Sequence, residues 1–204
     1  MEKTPLYSAR PEHLERLRRY FGDTVRYIHL VRSPHGYGAS LLKTLADFSA
    51  AAPPAFVQHA LRDPDSLYFG IQPPDRDELD PQRVWLRRHR HIRSFLATTD
   101  PSRWRVVRSE TFLQNVSASI RELCDWLSLP LSTEVHADVL RPDRWHYSRV
   151  ENGVRPGGDR EFFRNPTLRV PPGPPELAAR VTWSNGDREL SPEVQSLARE
   201  LGYA

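Results

Sequence analysis

The segment "TVRYIHLVRSPHGYGASLLK" (residues 24–43) constrains the fold most, because it changes from strand to helix within a few residues. Its first part, "VRYIHLV" (25–31), is rich in β-branched and apolar residues, which is typical of a strand buried in a parallel sheet. Arg32 follows at the carboxyl end of this strand, and a helix is predicted over about 37–49. Ligands of parallel α/β sheets bind beyond the carboxyl ends of the strands. Arg32 and Ser40, eight residues apart, are therefore candidate binding residues.

The residue types at this turn favour an anion as the ligand. Arginine binds phosphate through two parallel N–H donors, and a helix N-terminus adds the positive end of its dipole. Gly36 and Gly38 are expected to let a ligand approach the backbone closely. Since many α/β proteins place an arginine after a strand, this feature alone does not decide between a phosphate site and an ordinary turn.

The rest of the chain alternates between helices and strands, which predicts an α/β layer with a parallel sheet. With no repeats and no second core in the pattern, residues 1–204 are expected to form one domain. Residues 50–81 and 141–175 are rich in proline and are expected to be irregular. The predicted elements are a helix at 11–21, a turn at 22–23, a helix at 83–99, a strand at 103–110, a helix at 111–129, and a final helix at 191–203 with Ser191 as N-cap and Pro192 in the first turn.

The composition excludes several classes of protein. No apolar run approaches the roughly 18 residues of a membrane span, and the N-terminus "MEKTPLYSARPEH" lacks the apolar core of a signal peptide. A cytoplasmic protein without a membrane partner is expected. Cys124, the single cysteine, excludes an internal disulfide and a cysteine-rich zinc site, and is predicted to be a small core residue. No His, Cys or Asp residues have metal-ligand spacing.

The basic residues are almost all arginine. Of 29 basic residues only Lys3 and Lys43 are lysines, which suggests a GC-rich bacterial genome. The formal net charge is +3, and acidic residues are dispersed along the chain. Nucleic-acid binding, for which basic residues cluster, is therefore disfavoured as a function.

The strand-to-helix segment "YIHLVRSPHGYGASLLK" resembles the 3′-phosphate-binding segment of the sulfotransferases that use 3′-phosphoadenosine 5′-phosphosulfate (PAPS). In that family an arginine and a serine eight residues later bind the 3′-phosphate, which implies this role for Arg32 and Ser40. The resemblance also implies the fold, a three-layer, P-loop-NTPase-like parallel sheet flanked by helices. It implies PAPS as the co-substrate and no metal.

Further segments resemble the same family in the same order, so that the resemblance covers essentially the whole chain. The closest subgroup is the bacterial set that includes sulfotransferase domains of polyketide and nonribosomal peptide assembly lines. Two departures from the family pattern are Ser109 in place of a tyrosine and Thr111 in place of an aspartate. The segments are "EKTPLY" (2–7), "VWLRRHRHIRSFL" (84–96), "RVVRSETFLQNVSASIRELCDWLSLPL" (105–131), "VRPGGDREFFRNP" (154–166) and the C-terminal "TWSNGDRELSPEVQSLARELGY".

The resemblance implies roles for five more residues. Glu2 matches a carboxylate that some relatives use as the base, and its alternative is a frayed terminal residue. Lys3 matches a position near the sulfuryl group, where it would neutralise the sulfuryl group or a phosphate, and its alternative is a solvated lysine. The remaining three lie in a glycine-rich loop that would cover the 3′-phosphate, with an ordinary loop as the alternative: Arg155, Gly157 and Gly158.

Three histidines have less specific expectations. His29 lies on the predicted strand and is expected to be a core histidine with its hydrogen bonds satisfied. His89 and His91 lie on the 83–99 helix. The expectation for these two is a solvated helix face, and the alternative is that one of them faces the acceptor.

One feature of the family has no counterpart in the sequence. Family members begin with a strand and a "PxSGTT"-like loop that binds the 5′-phosphosulfate, and nothing similar precedes Glu2. The fold is therefore expected to be truncated at its N-terminus. An unpaired sheet edge, or an edge paired with a neighbouring chain, would follow. A misplaced start codon, a split gene and a decayed remnant each account for this departure.

The function expected from the resemblance is transfer of a sulfuryl group from PAPS to a hydroxyl of a small molecule or of a carrier-tethered acyl chain. The proline-rich segment 50–81 is expected to shape the pocket for this acceptor. The alternative is a catalytically inactive, sulfotransferase-like protein that binds a nucleotide or acts as an interaction partner.

Overall fold

The computed structural model describes residues 8–51, 55, 80–145, 160–183 and 186–204. The chain divides into two compact units, which are described separately. The first combines Met1–Val107 with Pro174–Ala204, and the second is Arg108–Gly173. The predicted irregular segment 50–81 lies almost entirely outside the described residues.

The described elements include two steps from a strand into a helix, as the sequence predicts, together with a run of successive helices and an antiparallel hairpin. Short 3₁₀ turns at Gly22–Thr24, Pro101–Arg103 and Pro142–Arg144 connect some of them. In chain order the elements are α1 (Pro11–Phe21), β1 (Tyr27–Val31), α2 (Pro34–Ala51), α3 (Pro81–Ala97), β2 (Trp104–Arg108), α4 (Ser109–Gln114), α5 (Val116–Leu127), α6 (Thr133–Val139), α7 (Arg160–Arg164), β3 (Val181–Trp183), β4 (Gly186–Arg188) and α8 (Pro192–Glu200).

Two small sheets form among the described residues. Strands β1 and β2 pair in a parallel sheet, which confirms the predicted α/β layer. Strands β3 and β4 form an antiparallel hairpin in which Val181 faces Arg188 and Trp183 faces Gly186. This hairpin was not predicted, because its strands of three residues each are too short to show a period.

Helix α3 connects two apolar clusters of the first unit. Val84 and Trp85, near its start, are buried in the larger cluster, while Phe95 and Leu96, near its end, are buried in the smaller one. Asp80 accepts a hydrogen bond from the Gln82 backbone N–H (3.0 Å) and fixes the start of the helix. The larger cluster comprises Val31, Leu42, Val84, Trp85, Leu177, Val181, Trp183, Leu190, Val194, Leu197, Ala198, Leu201 and Tyr203.

Strand β1 corrects one prediction. Its residues alternate, so that His29 and Val31 are buried while Ile28 and Leu30 are 39% and 55% exposed. The expectation of a strand buried on both faces is therefore wrong for one face. Because the exposed face also carries apolar residues, the sequence shows a continuous apolar run. Such a run cannot distinguish a strand that is buried on both faces from a strand that is buried on one face.

Several element boundaries also differ from the predictions. Helix α2 begins at Pro34 rather than near residue 37, because proline fits the first turn of a helix. The helix predicted over 111–129 is two helices, separated at Asn115, whose backbone is not helical (φ −142°, ψ 61°). Helix α6 was not predicted, although Ser132 caps it by accepting a hydrogen bond from the Val135 N–H (3.2 Å). Cys124 is partly buried rather than a core residue.

The C-terminal helix agrees with its predicted start. Ser191 accepts a hydrogen bond from the Val194 N–H (3.4 Å), and Pro192 follows as the first helical residue. Helix α8 ends at Glu200, and Leu201 and Tyr203 continue beyond it as buried members of the larger cluster.

Candidate functional site

The carboxyl end of β1 presents Arg32 at the surface. Arg32 lies between β1 and α2 and is exposed. Its backbone carbonyl accepts a hydrogen bond from the indole Nε1–H of Trp85 (2.9 Å), which lies on α3 and is 0% exposed. The backbone of Arg32 is therefore held from the buried side, while its side chain is available on the outer side.

The first turn of α2 is capped by its own residues. The Ser33 carbonyl accepts a hydrogen bond from the Tyr37 N–H (2.8 Å), and Ser33 Oγ accepts one from the Gly36 N–H (3.2 Å). Pro34, the first helical residue, has no N–H to offer. Ser33 Oγ therefore occupies the Gly36 N–H at this helix start, and binding of an anion there stays a prediction.

Two of the predicted residues lie on the same outer face of α2. A Cβ atom added to Gly36 would lie 2.9 Å from Arg32 Nε and 3.1 Å from Ser33 Oγ, so the Arg32 side chain lies over Gly36. Ser40 follows Gly36 by four residues, which places both on the same face of the helix. Ser40 is exposed, as Arg32 is. The structure thus places the Arg32 guanidinium and Ser40 on one solvent-facing side of α2, which we call the Arg32–Ser40 face.

The space beside the two glycines of α2 is already filled by protein. A Cβ atom at Gly38 would overlap the indole ring of Trp183, whose Nε1–H donates to the His35 carbonyl (3.4 Å). At Gly36 the neighbours are the side chains of Arg32 and Ser33. The expectation that both glycines admit a ligand to the backbone is therefore wrong at Gly38, and at Gly36 the glycine makes room for Arg32.

A pair of buried histidines lies behind Arg32. His29 on β1 and His89 on α3 are 3% and 7% exposed, and His29 Nε2 lies 2.7 Å from His89 Nδ1 in a hydrogen bond. Burial, with a smaller contribution from Arg93, lowers the pKa of His29 to about 4. Burial, the neighbouring His29 and Arg88 hold the pKa of His89 well below its usual value. Both rings are therefore neutral at pH 7.

The histidine expectations are partly confirmed. His29 is a core histidine as predicted, but its hydrogen bonds are not all satisfied, because its buried Nδ1 has no partner among the described residues. His89 is not on a solvated face, because α3 packs it against His29 and against the Trp85 ring, at a centroid distance of 4.5 Å. His91 is half-buried, and its Nδ1 lies 3.0 Å from the Ser8 carbonyl oxygen. The helical spacing in the sequence placed His89 and His91 on α3. It could not show that β1 covers His89.

The other predicted site residues lie outside the described residues. These are Glu2 and Lys3 near the N-terminus, and Arg155, Gly157 and Gly158 in the glycine-rich segment. Trp85 was predicted only as a core residue. The sequence also indicates that Trp85 makes a hydrogen bond, because a buried indole N–H requires an acceptor. The sequence does not show which acceptor that is.

Within the described part of the chain, no three His, Cys, Asp or Glu side chains are grouped so that they could hold a metal ion. No helix there combines the length and apolarity needed to cross a membrane.

The fold is that of sulfotransferase domains. Over its whole length the chain superposes on the sulfotransferase domain from the curacin biosynthetic pathway, with a TM-score of 0.59 and 20% identity, and covers 62% of that domain. It is similar also to the sulfotransferase domain from the Synechococcus PCC 7002 olefin synthase, with a TM-score of 0.58 and 18% identity, and covers 58% of it. The chain thus spans about six tenths of the solved domains that it matches.

Sequence comparison adds nothing to this result. No family model matches the chain, and no curated protein matches it. At the identities found, the structural likeness defines the fold, and it confirms the fold class that the sequence resemblance implied.

Proposed function

We propose that this chain binds PAPS through its adenosine 3′,5′-bisphosphate part and transfers the sulfuryl group to a hydroxyl. The observation that carries the proposal is the Arg32–Ser40 face at the carboxyl end of β1. The sulfotransferase fold supports the class of reaction, and the eight-residue spacing supports the 3′-phosphate as the group bound there.

The electrostatics of this face suit a phosphate. The guanidinium of Arg32 is exposed, and the ion pairs recorded among the described residues do not include it. The Ser40 hydroxyl, on the same side of the helix, supplies one more donor. A phosphate between them would receive charge-assisted hydrogen bonds, the stronger kind in proteins.

The chemistry that we propose is a substitution at sulfur. The acceptor hydroxyl oxygen attacks the sulfur of PAPS, the bond from sulfur to the bridging phosphate oxygen breaks, and adenosine 3′,5′-bisphosphate leaves. A base takes the hydroxyl proton, and a cation stabilises the charge on the bridging oxygen. We propose Glu2 as the base and Lys3 as the cation, by resemblance. Arg155, Gly157 and Gly158 would cover the 3′-phosphate on the same basis.

The proposed acceptor is a small molecule or a carrier-tethered acyl chain with a free hydroxyl. It is supported by the likeness to two sulfotransferase domains whose titles name a biosynthetic pathway and an olefin synthase. The chain itself would contribute positioning and charge stabilisation, as in phosphoryl transfer.

A second candidate is nucleotide binding without turnover. The observation that favours it concerns the hydrogen-bond donors. The Arg32–Ser40 face supplies donors for one phosphate, and at the start of α2 Ser33 Oγ occupies the Gly36 N–H. The two candidates predict the same nucleotide affinity and differ in the release of adenosine 3′,5′-bisphosphate from PAPS.

The test is calorimetric titration with adenosine 3′,5′-bisphosphate. Replacing Arg32 by glutamine should weaken binding by about 10- to 100-fold, because one charge-assisted hydrogen-bonding group is lost. The matched control is Arg19→Gln on α1, which removes the same charge from another exposed position and should leave the affinity unchanged. An equal loss in both variants would show a non-specific charge effect, and no binding by the unmodified chain would refute the proposal. Turnover of radiolabelled PAPS, with hydroxyl-bearing acyl thioesters as acceptors, then separates the two candidates.

A further inference from the structure

Helix α3 holds the end of β1 at two points. The first is the hydrogen bond from Trp85 Nε1–H to the Arg32 carbonyl (2.9 Å), and the second is the hydrogen bond between His89 and His29 (2.7 Å). Trp85 and His89 are four residues apart on one face of the helix. Their rings also contact each other, so the two points form one continuous buried contact.

This contact is closely packed. Trp85 is 0% exposed and the two histidines are nearly as buried. A buried indole N–H that loses its acceptor is costly, so the Trp85 bond selects one orientation of the Arg32 carbonyl. The peptide bond is planar, and fixing this carbonyl also fixes the backbone nitrogen of Ser33, whose side chain caps α2.

The Arg32 side chain leaves the same backbone that this hydrogen bond anchors. It reaches Gly36, where the missing Cβ gives Arg32 Nε its place. A displaced Arg32 backbone would carry the guanidinium away from Gly36 and Ser40. The outer, exposed face therefore depends on a hydrogen bond made on the inner, buried side.

We infer that Trp85 is a positioning residue for nucleotide binding, acting through the Arg32 carbonyl without touching the ligand. This inference rests on the proposed function and deepens it, since it assigns to α3 a part in the geometry of the phosphate site. In this inference the indole N–H, and not the indole ring, positions the Arg32 carbonyl.

The experiment measures the affinity for adenosine 3′,5′-bisphosphate in two tryptophan variants. Trp85→Phe should weaken binding on the order of fivefold, the worth of one neutral hydrogen bond. The matched control is Trp104→Phe, because Trp104 Nε1 is buried and has no hydrogen-bond partner among the described residues. This control removes an indole N–H from the smaller cluster and should leave the affinity unchanged.

A second variant separates the lost N–H from the cavity that phenylalanine leaves. Replacing Trp85 by β-(3-benzothienyl)alanine keeps the shape of the ring and removes only the donor, and it should show the same fivefold loss. This variant also preserves the test if Trp85→Phe does not fold.

The loss of affinity should depend on Arg32, and this dependence distinguishes positioning from a structural effect. In an Arg32→Gln background, removing the Trp85 donor should cause no further loss of affinity, whereas a merely structural effect would persist there. Unchanged affinity in the benzothienyl variant, or the same loss with and without Arg32, would overturn the inference while leaving the proposed function intact. No binding by the unmodified chain would overturn both.

Discussion

The two glycines near the start of α2 lie on opposite faces of the helix and have opposite surroundings. Residues two apart are about 200° apart around a helix. Gly36 lies on the exposed face, below the Arg32 side chain, whereas Gly38 is buried against the Trp183 ring. The same residue type therefore has two purposes within one turn, since one glycine leaves room for a charged side chain and the other lets a hairpin pack against the helix.

This difference shows how the fold and the candidate site share one helix. The buried face joins α2 to β3 through Trp183 and belongs to the larger apolar cluster. The exposed face carries Arg32 and Ser40 and adds little to the core. Substitutions on the buried face should therefore change stability, and substitutions on the exposed face should change ligand affinity.

The largest expected effect is loss of stability in Gly38→Ala. The added methyl group would overlap the six-membered part of the Trp183 indole ring, and overpacking of this kind costs about 3 kcal/mol. The free energy of unfolding, measured in urea, should fall by that amount. Gly36→Ala is the matched control, because its neighbour is a flexible side chain that can move, and should change the free energy of unfolding by less than about 1 kcal/mol.

A rescue variant sharpens this comparison. Trp183→Leu in the Gly38→Ala background removes the overlapping ring and should recover part of the loss relative to the sum of the two single changes. Equal destabilisation by Ala at both glycines, or strict additivity of the two changes on the buried face, would contradict the comparison.

The next effect is acid sensitivity of the buried histidine pair. The pKa of His29 in the folded chain is about 4, below its ordinary value of 6.5, so the unfolded chain binds more protons between these values. The contribution of His29 to stability is therefore fully present above pH 6.5 and decreases as the pH falls toward 4. Between pH 7 and pH 5 the free energy of unfolding should fall by about 2 kcal/mol from His29.

The origin of this acid effect can be isolated. Arg93 acts on His29 and Arg88 on His89, and both positive charges disfavour an added positive charge on the pair. Replacing both histidines by leucine should reduce the difference in stability between pH 7 and pH 5, because two apolar groups replace both partners of the bond. An unchanged difference in the double variant would assign the acid effect to other histidines.

The sequence predicted the fold better than it predicted the surroundings of single residues. Strand β1, helices α1 and α3, and the capped start of α8 follow from local patterns of apolar residues, proline and serine, and these agree with the structure. The β3–β4 hairpin and helix α6 are short, and their stability depends on neighbours distant in sequence.

The candidate site divides in the same way. The spacing of Arg32 and Ser40 across a strand-to-helix turn placed both residues at one edge of the sheet, and the structure places them on one face of α2. The partners of Trp85 and His89 could not be predicted, because each hydrogen bond joins residues more than 50 positions apart. The filled space beside Gly38 likewise depends on Trp183, far along the chain.

The central claim is that the Arg32–Ser40 face binds the 3′-phosphate of the nucleotide. Its most direct test is the ratio of dissociation constants for adenosine 5′-monophosphate and adenosine 3′,5′-bisphosphate, measured by calorimetry on the unmodified chain and on Arg32→Gln. The unmodified chain should prefer the bisphosphate by at least about tenfold, since one charge-assisted hydrogen bond is worth that much. In Arg32→Gln this preference should fall close to one. Equal affinities for the two nucleotides in the unmodified chain, or a preference that persists without Arg32, would contradict the claim.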